Sequence, residues 1–136
     1  MVDEGILKQM IERAKANLSK AYAPYSNYHV GVALLAKNGA IYDGANIENC
    51  VHRATHAERL ALDNAVLAGE REFLTLVVVT DDEKAPFPCG QCRQDLAEFD
   101  KDGAGRLEII AVNLKGYMER STLDELLPKR FGPANF

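Results

Sequence analysis

The chain reads as an α/β protein, a mixed β-sheet with helices on both faces. Three observations carry that reading. Segments with the apolar period of a helix alternate along the chain with segments of strand character. One strand, Leu74–Thr80, is a continuous apolar and β-branched run, which fits a strand buried on both faces and therefore central in its sheet. The length of 136 residues suits one domain that buries about two-thirds of its unfolded surface.

The elements follow in order. Residues 3–20 form an amphipathic helix, with Ile6, Leu7, Met10, Ile11, Ala14 and Leu18 at helical spacing and Asp3 as N-cap. Ala23–Asn27 is a loop. His29–Ala36 and Ala40–Ala45 are strands joined at Lys37-Asn38-Gly39, where Asn-Gly is a strong hairpin signal. A helix runs from about Thr55 to Ala68 and stops at Gly69; its apolar set is Ala57, Leu60, Ala61, Ala65 and Leu67. After Leu74–Thr80, the loop Asp81–Pro88 leads into a short helix, Gly90–Phe99. Leu107–Asn113 is another apolar strand and Tyr117–Ser121 a short edge strand. Thr122 and Glu125 make a capping box for a last helix, which Pro128 ends.

Composition narrows the function classes. With 47% apolar and 26% charged residues, the chain is neither disordered nor collagen-like. No apolar run approaches the roughly 18 residues of a membrane span. The acids in the opening MVDEGILKQM argue against a secretory leader. A net charge of −4 without a basic stripe argues against nucleic acid or an anionic membrane as partner. Three cysteines are too few for a disulfide framework. They point to a reducing, cytoplasmic setting and to metal or redox chemistry.

The informative residues are His56-Ala57-Glu58 and Pro88-Cys89-Gly90-Gln91-Cys92. His-x-Glu followed by Pro-Cys-x-x-Cys is the known signature of zinc deaminases. Its chemistry can be rebuilt. A catalytic zinc takes three protein ligands and leaves one position for water; His56, Cys89 and Cys92 supply three. Both ligand groups fall at helix N-termini, where free N–H groups and the helix dipole favour thiolates. Glu58, two residues past His56, is close enough to reach the water without being a ligand. It is the candidate general base and acid, carrying a proton from that water to the ring nitrogen and then to the leaving amine. Arg59 and Arg93 each follow a ligand motif directly, and either could donate to a thiolate. A lone Cys-x-x-Cys could instead be a redox pair or half of a structural zinc site. The latter would need a fourth ligand from Cys50, His52 or His29, and neither would need Glu58.

With these residues in view, the chain resembles the cytidine deaminase family, in its small homotetrameric type, over essentially its whole length. Ala21–Gly31 (AYAPYSNYHVG) resembles that family's tyrosine–serine segment and first strand, and Gly44–Asn49 (GANIEN) its nucleoside-binding strand end. His56–Arg59 and Pro88–Gln94 are similar to its two metal motifs. Glu125-Leu-Leu-Pro128, followed by Phe131, is similar to its C-terminal signature. The resemblance implies an α/β fold, a three-layer α-β-α sandwich with a mixed five-stranded sheet, as one catalytic domain over residues 1–136. It implies a Zn²⁺ cofactor and hydrolytic deamination of cytidine and deoxycytidine in pyrimidine salvage. The expected assembly is a homotetramer, with a dimer as the smaller alternative. Asn46 and Glu48 are expected to hold the ribose hydroxyls, Tyr28 to lie against the pyrimidine and Ala57 to contact substrate. Phe131 is expected to be lent by a neighbouring subunit.

Two departures from the family pattern matter. The tetrameric type usually has Cys where this chain has His56, which removes one negative charge and lessens the need for Arg59. The segment from Asn46 to His56 is one residue shorter than expected. Cys50 reads as a small buried thiol, His52 as a loop imidazole and His29 as structural. Two alternatives stay open: a deaminase of a cytosine-nucleoside antibiotic such as blasticidin S, and a non-catalytic zinc or redox module.

Overall fold

The computed structural model describes all 136 residues. The chain runs α1 (Glu4–Leu18), β1 (Val30–Ala36), β2 (Ile41–Ala45), β3 (Ile47–Asn49), β4 (Arg53–Thr55), α2 (Ala57–Leu67), β5 (Phe73–Thr80), α3 (Gly90–Ala97), β6 (Glu108–Asn113), β7 (Met118–Thr122) and α4 (Leu123–Leu126). A 3₁₀ turn, Pro133–Asn135, follows. Five strands form one sheet in the order β2-β1-β5-β6-β7. Only β5 and β6 run parallel; the other neighbours are antiparallel, so the sheet is mixed. β5 occupies the middle of that order and is buried from Thr75 to Thr80.

Side chains alternate between two cores. Ala33, Leu35, Val77, Val79, Ile110 and Val112 face Leu7, Met10 and Ala14 of α1. Val32, Leu34, Leu76, Val78 and Ile109 face the apolar residues of α2, α3 and α4. The result is the three-layer sandwich. Two glycines set how closely the helices lie on it. A Cβ on Gly31 would come 2.0 Å from the Ala14 carbonyl, and one on Gly44 would come 2.1 Å from the Ala57 carbonyl. The bare backbone of β2 thus lets the first turn of α2 settle directly onto the sheet.

α1 is tied to β2 by a polar bridge. Asp43 accepts from Arg13 at 2.6 and 3.1 Å and from Asn17 Nδ2 at 2.7 Å. Burial, the largest single influence, pushes the Asp43 carboxyl up, but the Arg13 and Asn17 hydrogen bonds outweigh it and hold it below its ordinary value. The pair is more than a third exposed, so solvent screens it and Asp43→Asn is expected to cost only about 1 kcal/mol at neutral pH. A lowered folded pKa contributes stability above the unfolded value, about 3.9, and loses it as pH falls through the folded value. Urea melts at neutral and strongly acid pH should therefore show the gap between wild type and Asp43→Asn closing on acidification.

The structure departs from the sequence expectations around residues 47–56 and at the end of α3. Residues 47–55 form a small antiparallel hairpin, β3 with β4, where no strand was expected. Thr55 consequently ends a strand, and α2 starts at Ala57 with His56 as its N-cap residue. α3 stops at Ala97, two residues short of Phe99, whose N–H still reaches the Leu96 carbonyl in a final turn.

Candidate active site

The N-termini of α2 and α3, the C-terminal end of β5 and the start of β1 surround a cavity of about 400 Å³. His56 and Cys89 are the residues immediately before the two helices. Both are extended in backbone, and neither spends its side chain on capping. Their side chains are therefore free to converge, and Cys92 joins them from the first turn of α3. His56 Nδ1 lies 3.2 Å from Cys92 Sγ and 3.4 Å from Cys89 Sγ, and the three donor atoms all lie within 4.8 Å of one another.

The donor set fits zinc. Ligand bonds of about 2.0–2.3 Å at tetrahedral angles separate N and S by roughly 3.6 Å, within a few tenths of the distances here. The electrostatics agree. Cys92 is 1% exposed, and burial first, then the charges of Glu58 and Cys89, push its thiol up. Two sulfurs and a carboxyl converge with no lysine or arginine bonded to any of them, and a divalent cation is the group that would stabilise them as anions.

Glu58 follows in the first turn of α2. It is 7% exposed and lines the cavity beside His56 and Cys89. Burial pushes its carboxyl above the ordinary range, only partly opposed by its own backbone N–H and the His56 ring. Such a group holds a proton more readily than a surface glutamate. Ala57 is fully buried between the two, and its backbone N–H, at the first helical position, has no intrahelical acceptor.

The far side of the cavity holds Asn46, Glu48 and Tyr28. All three have partners within the chain. Asn46 Oδ1 accepts from Val30 N–H at 2.9 Å, and its Nδ2 donates to the Tyr28 carbonyl at 2.8 Å. Glu48 accepts from the Tyr25 and Ser26 segment, with the Ser26 hydroxyl as the largest cause holding its carboxyl below the ordinary value. The Tyr28 hydroxyl donates to Asp82 Oδ2 at 3.3 Å.

The readings of Arg59, Arg93 and Cys50 need correction. Neither arginine donates to a thiolate. Arg59 bonds Asp63 and Asp95, both at 2.9 Å, and so ties α2 to α3. Arg93 donates to the carbonyls of Pro88 at 2.6 Å and Leu126 at 2.8 Å, fixing the backbone just before Cys89. The fold brings carboxylates to Arg59 and backbone carbonyls to Arg93, and these take up the guanidinium donors. Cys50 is exposed, not buried, because it sits on the β3–β4 turn beside His52, which adopts φ +60° there. His29 pairs with the Asp81 carboxylate at 2.7 Å. Phe131 is 64% exposed, lies outside its own chain's cavity and packs edge-on against Phe136 at 5.6 Å.

The sequence left some wall residues unassigned. Ser26, Ala54, Pro86 and Phe87 also line the cavity. The only available signal was position: Pro86 and Phe87 immediately precede the Pro-Cys motif.

Comparison with known proteins gives consistent findings. The sequence model of the cytidine and deoxycytidylate deaminase zinc-binding region matches residues 5–103. A cytidine deaminase of Sporosarcina psychrophila is 44% identical over 126 residues, covering 92% of this chain and 90% of that protein. The crystal structure of cytidine deaminase from Burkholderia pseudomallei has a TM-score of 0.85 at 40% identity, covering 91% of this chain and 98% of that one. A blasticidin-S deaminase of Bacillus cereus is 28% identical over 132 residues, 90% of each chain.

Proposed function

The chain belongs to the cytidine and deoxycytidylate deaminase family and is a zinc-dependent deaminase, and from that premise we propose that it hydrolyses a free cytosine nucleoside, cytidine or deoxycytidine, to the corresponding uridine and ammonia. One observation supports this reading above the others. A single cavity joins the His56, Cys89 and Glu58 end to the Asn46 and Glu48 end, with two carboxylates and no lysine or arginine in its lining.

The roles divide along that cavity. Asn46 and Glu48 hold the sugar hydroxyls, and that binding orients the ring toward Glu58. Tyr28 and Phe87 wall the pyrimidine, and the Ala57 N–H is a donor for a polar atom of the base. His56, Cys89 and Cys92 would hold one zinc ion, which when bound would supply Lewis-acid activation of a water. Glu58 takes a proton from the water whose oxygen bonds to C4 and delivers it to N3 of the ring; it then passes the remaining hydroxyl proton to the 4-amino group, so that the C4–N bond breaks, ammonia leaves and C4 is left as the carbonyl. Arg93 and Arg59 position the ligand-bearing segments through the carbonyl of Pro88 and through Asp95.

The substrate follows from the lining charges. A nucleotide phosphate would meet Glu48 at the sugar end, with no lysine or arginine in the cavity lining to receive it. A bare base would leave unused the acceptor position that Glu48 keeps open, and a site built to bond a hydroxyl discriminates against an analogue that lacks it. The Bacillus cereus relative motivates a second reading, blasticidin S as substrate. A panel of kcat/KM values for cytidine, deoxycytidine, CMP, cytosine and blasticidin S separates these readings. The nucleosides should lead each of the others by tenfold or more, on the order of a single well-placed contact. Blasticidin S ahead of both nucleosides by that margin would overturn the nucleoside reading.

We further propose one catalytic domain over residues 1–136, a cytoplasmic location and assembly as a homotetramer. The aromatic Phe131 and Phe136, exposed on the single chain, support the assembly, with Phe131 reaching a neighbouring subunit's cavity. Phe131→Ala should raise KM for cytidine while zinc content stays unchanged. Light scattering that shows a stable, fully active monomer would contradict the assembly.

A further inference from the structure

Ser26 lines the cavity and is hydrogen-bonded to two of its other lining residues. Its hydroxyl donates to Glu48 Oε2 and accepts from the Tyr28 N–H at 3.0 Å. Its own N–H, at 3.2 Å, and that of Tyr25, at 2.9 Å, both donate to Glu48 Oε1. Ser26, Tyr28 and Glu48 all line the cavity. None of this is visible along the sequence, where Ser26 and Glu48 lie 22 residues apart.

The hydrogen-bond inventory gives the arrangement a direction. A serine hydroxyl has one hydrogen, and here the Tyr28 N–H occupies one of its lone pairs, so that hydrogen goes to Glu48. A carboxylate offers about four lone-pair positions. Two donors saturate Oε1 and the Ser26 hydroxyl takes one position on Oε2, which leaves one acceptor position, on Oε2. A free glutamate side chain samples many rotamers, and ordering it on binding costs affinity. Here the Tyr25-Ser26 segment orders it beforehand. The same hydroxyl reaches the backbone of Tyr28, which also lines the cavity and whose carbonyl is held by Asn46.

We propose that Ser26 is a positioning residue for Glu48, orienting the carboxylate so that its one remaining acceptor position receives a sugar hydroxyl of the nucleoside. The inference rests on the reading of Glu48 as a sugar-binding group. Ser26 acts through Glu48 and Tyr28 and takes no part in proton transfer, so its loss should fall on KM.

Ser26→Ala, Ser26→Thr, Glu48→Gln and the Ser26→Ala/Glu48→Gln double variant test it, with cytidine as substrate and zinc content and melting temperature recorded for each. Ser26→Ala is expected to raise KM about tenfold, the scale of one hydrogen bond to a charged group, with kcat within about twofold of wild type. Ser26→Thr, which keeps the hydroxyl, should restore most of the loss. Glu48→Gln should raise KM on its own, and the double variant should be no worse than Glu48→Gln by more than about twofold, because the two residues act as one unit. An unchanged KM in Ser26→Ala, or losses that multiply in the double variant, overturns the assignment while leaving the sugar reading of Glu48 intact. An unchanged KM in Glu48→Gln removes the sugar reading itself, and the role of Ser26 with it.

Discussion

Glu58→Gln is expected to fold, to bind zinc as the wild type does and to lose on the order of 10²–10⁴-fold or more in kcat. The substitution is nearly isosteric and lies in a site already shaped by packing, so the first turn of α2 has no reason to move. Its loss is chemical. Glu58 is 7% exposed and is the acidic side chain that lines the cavity beside His56 and Cys89. A single acid–base group contributes typically about 10²–10⁴-fold, and here one group serves successive transfers, from water, to N3 and to the leaving amine. An amide can accept and donate hydrogen bonds but cannot carry the proton. Zinc analysis beside steady-state kinetics checks the expectation. A variant with full zinc and half of wild-type turnover would end the assignment of Glu58 as proton carrier.

Cys89→Ala should lose most of its zinc, and its activity with it, whereas Cys50→Ser should keep both. Cys89 contributes one of only three donor atoms in the cluster. Removing an outer partner of a metal ligand costs roughly 10–100-fold in affinity, and removing a ligand should exceed that. Because the ion stabilises only the folded chain, the melting temperature of Cys89→Ala should also cease to respond to added zinc. Cys50 sits exposed on the β3–β4 turn, outside the donor cluster. Elemental analysis of the two purified variants distinguishes them. Zinc lost from Cys50→Ser would mean that the ligand set is wrong.

Legibility in the sequence varied with the physical signal each part leaves. α1 and β5 were readable because burial imposes a period: one apolar stripe on the helix, apolar positions on both faces of the central strand. The metal ligands were readable because zinc fixes residue type and spacing. β3 and β4 were not, since each is three residues long and mostly exposed, too short and too polar to show alternation. The partners of Arg93 were invisible because they are backbone carbonyls, and a carbonyl leaves no trace in residue type. Its position three residues after His56 left Arg59 free to donate to a thiolate, but the fold brings Asp95 of α3 within its reach. Ser26 fell within the stretch that resembles the family's tyrosine–serine segment, but nothing there pointed to Glu48. A serine in a loop becomes informative only when the fold delivers Glu48 to it.

One zinc ion at His56, Cys89 and Cys92 is expected to enable Glu58 to deaminate a nucleoside held in the adjoining cavity. Titrating zinc into the metal-free protein while following cytidine conversion tests it most directly. Uridine formation should rise in proportion to added zinc, release one ammonia for each uridine and level off at one ion per chain. A protein that has taken up one zinc per chain and still leaves cytidine and deoxycytidine unchanged would contradict the account.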